Sequence, residues 1–325
     1  MKRGLKSPFR YAGGKSWFVK TACKWLTNRT PRPKLLVEPF AGGANISLSA
    51  VYAQLVDKAA FTELDRDVAA TWKTILNGHA DWLANEIRSF RISRTRVEQH
   101  LQQKPASQHE RAFLCLLRNR TARGGVIAEG AGLIRKGEDG RGLRSRWYPQ
   151  TIADRVTAIS ALKKKLAFSQ EDGFTLIKKH QNNIDAVFFV DPPYTKAARR
   201  LYRHWEIDHE NLFKVLQQVA GDVLMTYDDT CEVRQWAKTY GFQVKTISMR
   251  TTHHKTKREL MISKDFGWLK SPVQKIGRHP ANRADSNVQL PFRPAAIEQP
   301  RGKSPGRRVL VRMSNHPATI KQQPG

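Results

Sequence analysis

Seven short apolar or β-branched runs alternate with stretches whose apolar residues recur at three- and four-residue steps, and this alternation narrows the fold more than any other feature of the chain. The runs are Leu35–Glu38, Ala60–Glu63, Leu166–Gln170, Ala186–Val190, Asp222–Thr226, Gln243–Met249 and Glu259–Ser263. Helical spacing marks Trp17–Leu26, Ile46–Leu55, Val68–Leu76, Leu212–Val219 and Val233–Tyr240. Strands that alternate with helices bury both sheet faces, so the pattern predicts an α/β fold with helices on either side. Little separates the last two runs, which predicts an antiparallel hairpin at one edge. No internal repeat competes with this reading.

Two segments interrupt the alternation. Residues 80–165 hold helical patterns, Ala112–Leu117 and Ile152–Leu162 among them, and no convincing strand. Between those two lies a stretch rich in glycine and arginine, LRNRTARGGVIAEGAGLIRKGEDGRGLRSRW, which reads as a long, partly flexible basic insert. From Ser271 onward prolines and basic residues dominate and periodicity disappears, which predicts a disordered tail. That tail reads equally as a polyanion tether or as a solvated end without a role. The expected division is 1–79 and 166–270 as two parts of one sheet domain, 80–165 as a helical insert and 271–325 as the tail.

Charge narrows the partners. Fifty-seven Lys and Arg against 28 Asp and Glu leave a formal +29, a field that attracts polyanions or anionic membranes. No apolar run is long enough to span a bilayer, which weakens the membrane reading. The opening MKRGLKSPFR has no apolar stretch behind its basic residues and does not read as a secretory signal. Cys23, Cys115 and Cys231 are scattered and odd in number, and no pair has metal-ligand spacing. A reducing, cytoplasmic setting and no metal are the expectations, with Cys115 in the core.

Four stretches can carry chemistry. RYAGGKSW, Arg10–Trp17, ends like a phosphate loop, but the leading glycine of G-x-x-x-x-G-K-[ST] would fall at Phe9 and no strand precedes it. A nucleoside triphosphate is therefore not expected there. VEPFAGGANIS is a strand end, Glu38, then Phe40, Gly42 and Gly43, then a helix; such a turn lets backbone approach a ligand, or is only a tight turn. It is not G-x-G-x-x-G, so a nicotinamide or flavin is unsupported. AFTELDRD puts Glu63, Asp65 and Asp67 at the end of the second strand, about 20 residues past the glycine turn, where a carboxylate can accept from a ribose diol. Taken alone it is a solvated acidic turn. VFFVDPPY runs a buried-looking strand into Asp191, Pro192, Pro193 and Tyr194. Prolines remove two N–H donors and leave carbonyl acceptors, so the turn suits a planar group bearing an amine, with Tyr194 to stack on it. The bland alternative is a β-turn with a stacked aromatic.

RYAGGKSW, VEPFAGGANIS and FFVDPPY, in this order and over roughly residues 7–268, resemble the motifs of the Dam-like, D12 class adenine-N6 DNA methyltransferases. The resemblance implies a Rossmann-like methyltransferase sheet, an inserted helical DNA-recognition domain and S-adenosylmethionine as methyl donor. It implies that Tyr11, Gly13, Gly14 and Lys15 help hold the cofactor, with Lys15 near its carboxylate. Glu38, Phe40, Gly42, Gly43, Glu63 and Asp65 are expected around it, with Glu63 on the ribose and Asp172 near the adenine amine. Asp191 would serve both cofactor and target base, with Pro192, Pro193 and Tyr194 completing the catalytic turn. Position 11 is Tyr where Trp is usual, and Glu63 replaces the usual Asp; both keep the physical role.

RNRTARGG and the following RSRWYPQTIADRV resemble that family's insert. Arg118, Asn119, Arg120, Arg123, Arg135, Lys136, Arg141, Arg144 and Arg146 are the candidate contacts to double-stranded DNA. Most such cations contact phosphate rather than bases. Cytosine N4, RNA as substrate and a non-catalytic DNA-binding protein of the same fold remain alternatives. A cognate restriction endonuclease is left open, monomer is the default state, and His209 is expected to start a helix without a catalytic role.

Overall fold

The computed structural model describes residues 5–10, 14–128, 130–194, 206–250 and 256–270. The expected tail, 271–325, lies outside them, as do Tyr11 and Gly13. Among the described residues seven strands form: β1 (Leu35–Glu38), β2 (Lys58–Thr62), β3 (Leu166–Ser169), β4 (Ala186–Val190), β5 (Asp222–Asp228), β6 (Gln243–Arg250) and β7 (Thr256–Ser263). They join in one sheet in the order β3-β2-β1-β4-β5-β7-β6. The first five run parallel, with Val37 of β1 beside Ala60 of β2 and Phe188 of β4. β7 lies antiparallel between β5 and β6, the edge hairpin that the sequence predicts. β5 and β7 both extend past their apolar runs, because ladder pairing such as Asp228 opposite Glu259 continues beyond the residues that hydrophobicity marks.

Strand alternation distributes the core over the two faces. Leu36, Phe61, Phe189, Leu224 and Met261 face one way and meet α1 (Val19–Thr27), α2 (Asn45–Tyr52) and α3 (Arg66–Leu76). The inserted helices α4 (Ala80–Ser89), α5 (Arg94–Gln102), α6 (Gln108–Thr121) and α7 (Pro149–Ser160) continue that core through Leu83, Val97, Phe113, Leu116, Ile152 and Val156. α6 packs on α3, and Arg111 of α6 reaches Asp67 of α3 at 3.0 Å. Val37, Phe188, Val190, Met225 and Leu260 face the other way, against α8 (Gly173–His180), α9 (His209–Gln217) and α10 (Cys231–Thr239). Cys115 is buried on α6, as its apolar setting predicts.

Helix starts follow their capping chemistry. Asp65, Ser107, Asp172, Asp208 and Thr230 each accept a backbone N–H from the first turn of α3, α6, α8, α9 and α10. His209 is accordingly the first residue of α9. The glycine-rich insert is more organised than its composition suggests. Residues after α6 fold back through an Ala122–Leu133 bridge, with Arg123 N donating to Gly132 O and Ile134 N to Thr121 O.

Candidate active site at the carboxyl edge of the sheet

The parallel strands β1, β2, β3 and β4 all turn at the same edge, and strand order reverses between β1 and β4. Ligands of open α/β sheets bind at such a reversal. A cleft opens there, lined by the turn Glu38–Gly43, by Thr62–Asp65, by Glu171–Gly173, by Gly14 and Lys15, by Asp191 and Pro193, and by Gly125–Ala128 of the insert. In the β1–α2 turn Gly42 has φ 47°, a conformation glycine adopts without steric cost. Glu38 is 4% exposed and its Oε2 accepts the N–H of Ser47 at 2.8 Å, in the first turn of α2. Burial pushes its carboxyl up to about 7, against the pull of the Ser47 hydrogen bonds.

Two further acidic turns border the cleft. Glu63 is half-buried just past β2, and its Oε1 accepts from Leu64 N at 2.9 Å and Asp65 N at 3.0 Å. Desolvation in the cleft raises its carboxyl to about 7. Asp65 and Asp172 line the cleft while their side chains cap α3 and α8. Part of the acidic pattern that the sequence offers as ligand chemistry is therefore also helix-start chemistry. Phe40 lines the same space.

The DPPY turn follows β4. Asp191 Oδ1 accepts from Thr226 Oγ1 of β5 at 2.8 Å and lies 2.8 Å from the ammonium of Lys15. Burial raises the Asp191 carboxyl, and Lys15 opposes that rise. Lys15 is 5% exposed and also donates to the Tyr194 hydroxyl at 2.8 Å. Its ammonium is thus directed at the DPPY turn, whereas the family resemblance implies a place for it near the cofactor's carboxylate. The reason is that burial next to Asp191 demands a counter-charge at that spot. Tyr194 stacks on Tyr227 of β5, ring centroids 6.1 Å apart and planes 15° apart. Its hydroxyl donates to Glu259 of β7 at 2.9 Å. Thr226 and Glu259 escape the motif reading, since both come from strands beyond the family's named stretches. The available signal was a carboxylate inside the buried run ELMIS.

The insert corrects two of its candidate DNA contacts. Asn119 is fully buried, and its amide bonds Arg10 N at 2.7 Å, Arg10 O at 2.9 Å and Gly125 O at 2.8 Å. Arg120 is 6% exposed and donates to the carbonyl of Pro8. Both sit on the face of α6 that carries Leu116 and Leu117, so they fasten the segment before the lysine motif instead of reaching nucleic acid. Gly125, at φ 76°, passes so close that a Cβ would lie 2.2 Å from Arg10 O. Arg118 is half-buried, while Arg123, Arg135, Lys136, Arg141 and Arg144 are exposed. Arg146 is half-buried and paired with Glu138. Arg10 and Arg155, which the sequence reading omits, join this group: Arg155 donates to Ser7 O at 3.1 Å, and burial, with Arg146 close by, lowers the Arg10 pKa below its usual value.

Glu38, Glu63 and Asp191 converge on the cleft with Lys15 among them, and their carboxyl oxygens form an acceptor set that suits a ligand with net positive charge and hydroxyls to donate. S-adenosylmethionine, with a sulfonium, an ammonium and a ribose diol, has that character. Solved structures with similar folds are remote. The Bacillus subtilis M1A22 tRNA methyltransferase TrmK is 9% identical over 77% of this chain, which spans 66% of that one, just under two thirds, at a TM-score of 0.36. The magnesium protoporphyrin IX methyltransferase ChlM from Synechocystis with bound S-adenosylmethionine is 10% identical, over 78% of this chain and 81% of that one, at a TM-score of 0.35. No curated protein matches the chain. A family match, by contrast, spans residues 11–253, from the lysine motif through the insert and DPPY to the edge hairpin. The chain belongs to the D12 class N6 adenine-specific DNA methyltransferases, enzymes that take their methyl group from S-adenosylmethionine and act on DNA.

Proposed function

We propose that this chain is a site-specific methyltransferase that modifies the exocyclic amine of an adenine flipped out of double-stranded DNA. The observation that carries the reading is the presentation of Asp191. Its partners among the described residues, Lys15 and Thr226, both fall on Oδ1, which leaves Oδ2 to accept from a substrate amine. Adenine N6 is a poor nucleophile because its lone pair is delocalised into the ring. Asp191 and the Pro192 carbonyl would accept the two N6 hydrogens and so favour a localised lone pair. The DPPY turn has no proline N–H to compete as a donor. When bound, S-adenosylmethionine supplies an electrophilic methyl on a positive sulfonium. Glu63 would hold its ribose, Asp172 would lie near its adenine amine, and Gly14, Phe40, Gly42 and Gly43 would shape the cavity; for Tyr11 and Gly13, outside the described residues, the cofactor role rests on the family resemblance alone. Tyr194, anchored through its hydroxyl, would offer a ring to the flipped base.

Residues 80–165 serve in this reading as the DNA-recognition insert, with Arg123, Arg135, Lys136, Arg141 and Arg144 on phosphates or base edges and Arg10 and Arg155 adding to the positive surface. We read the enzyme as a cytoplasmic monomer. Among the described residues no helix is long and apolar enough to cross a membrane. The test uses labelled S-adenosylmethionine, unmethylated bacterial DNA, the wild-type chain and Asp191→Ala, with digestion to nucleosides. Label in N6-methyladenine from wild type, with transfer by the variant reduced at least about a hundredfold and DNA binding retained, is the expected result. Label in N4-methylcytosine would change the base, and full activity in Asp191→Ala would remove the mechanism.

A further inference from the structure

Glu259 is a buried carboxylate that the mechanism above leaves without a task. It sits on β7, opposite Asp228 of β5, and its side chain is 3% exposed. Its strand neighbours Leu260, Met261 and Ile262 are buried apolar residues. A carboxylate held there needs charged or hydrogen-bonding partners. It has them: Oε2 accepts from the Tyr194 hydroxyl at 2.9 Å and lies 3.7 Å from the Lys15 ammonium. Lys15 in turn donates to that same hydroxyl at 2.8 Å and lies 2.8 Å from Asp191 Oδ1. Glu259, Tyr194, Lys15 and Asp191 therefore form one continuous chain of contacts, which begins at the antiparallel edge of the sheet and ends at the catalytic turn.

We propose that Glu259 is a positioning residue for methyl transfer, which pins the Lys15 ammonium and the Tyr194 hydroxyl so that Lys15 holds Asp191 by Oδ1 with Oδ2 turned to the target amine. Lys15 alone carries several rotatable bonds and could neutralise Asp191 from many directions. Anchored from its far side by Glu259 and from a third side by Tyr194, it has one. The second carboxylate also leaves the trio Lys15, Asp191 and Glu259 with an excess negative charge, which complements a cationic methyl donor. The inference rests on the methyl-transfer reading above, since it assigns Glu259 a task within that site.

The test compares wild type with Glu259→Gln and Glu259→Asp in single-turnover methylation of duplex DNA. Gln keeps an acceptor for Tyr194 but removes the charge; Asp keeps the charge and shortens the reach. The expected result is a transfer rate lowered about tenfold or more in Glu259→Gln, with apparent affinities for S-adenosylmethionine and DNA held within about twofold. Glu259→Asp should recover part of the rate. Among the described residues, the charged and titratable groups that act on Asp191 are Lys15 near the N-terminus, Glu38 from β1, Tyr194 on its own turn, Tyr227 from β5 and Glu259 from β7. Glu259 is among those that raise Asp191, so its neutralisation should move the acid limb of the rate profile to lower pH. Burial and Asp191 raise Tyr194 and Glu259 adds to that rise, so tyrosinate absorbance should develop at lower pH in Glu259→Gln, a change absent when the same substitution is made in a Tyr194→Phe background. A folded Glu259→Gln with wild-type rate, unmoved acid limb and unmoved tyrosine titration would overturn the proposal while wild-type methylation stands. If wild type transfers no methyl to adenine, the methyl-transfer reading fails and the proposal fails with it. Should Glu259→Gln not fold, Glu259→Asp carries the test: its carboxylate no longer reaches Tyr194 and Lys15 as before, so a rate below wild type is expected and a wild-type rate there would overturn the proposal.

Discussion

If Glu63 holds the ribose as proposed, it links proton release to ligand binding at a single residue. Its carboxyl titrates near 4.5 in an unfolded chain and near 7 in the folded one. Between those values the folded protein holds a proton that the unfolded chain has released, so this residue's contribution to stability is greatest below the lower value and is lost as pH rises to the upper one. The difference in melting temperature between Glu63→Gln and wild type should therefore grow with pH across that window and level off above about 7. Ribose hydroxyls donate to a carboxylate and favour its ionised form. Binding of S-adenosylmethionine near pH 6.5 is expected to release a proton, read as a dependence of calorimetric heat on buffer ionisation enthalpy. Glu63→Gln should abolish that release; unchanged proton release would place the ribose elsewhere.

At the scale of elements, the segment that ends α6 joins the insert to the cofactor motifs. Asn119→Ala would strip partners from Arg10 and Gly125 backbone groups in the interior, at a cost of about 1–3 kcal/mol for an unsatisfied buried group. Gly125→Ala combines a positive φ with a backbone clash and should destabilise by more than about 1 kcal/mol. Denaturant unfolding measures both. Because Gly125–Ala128 lines the cleft, both variants should also weaken S-adenosylmethionine binding. Arg135→Ala and Arg144→Ala, on exposed side chains, should leave stability and cofactor affinity alone and weaken DNA binding. The motif RNRTARGG showed in sequence that these residues matter together. It could not show that Asn119 and Arg120 point inward, because their partners at Pro8 and Arg10 lie more than a hundred residues away in the chain.

For the whole molecule the dominant quantity is charge. A formal +29 predicts DNA affinity that falls steeply with salt, by about 0.9 in log affinity per log salt for each phosphate neutralised. Residues 271–325 contribute ten Lys and Arg against two Asp and Glu. Truncation after Lys270 should keep methyl transfer and flatten the salt slope measured by fluorescence anisotropy. An unchanged slope would leave the tail without a DNA contact.

The sequence by itself determined the strand–helix order, the edge hairpin and the three turns at the carboxyl edge. Each rests on short-range physics: side-chain period along a strand or helix, glycine and proline in turns, and polar caps at helix starts. β1 and β4 even match their apolar runs residue for residue, as Leu35–Glu38 and Ala186–Val190. Only the tertiary structure decided which polar residues would meet. Lys15, Asp191, Thr226 and Glu259 are drawn from a short turn near the N-terminus, the turn after β4, β5 and β7, and Asn119 reaches back to Arg10. Such contacts depend on how the sheet stacks its strands, and a buried charge reveals its purpose only when the group that neutralises it has been brought beside it.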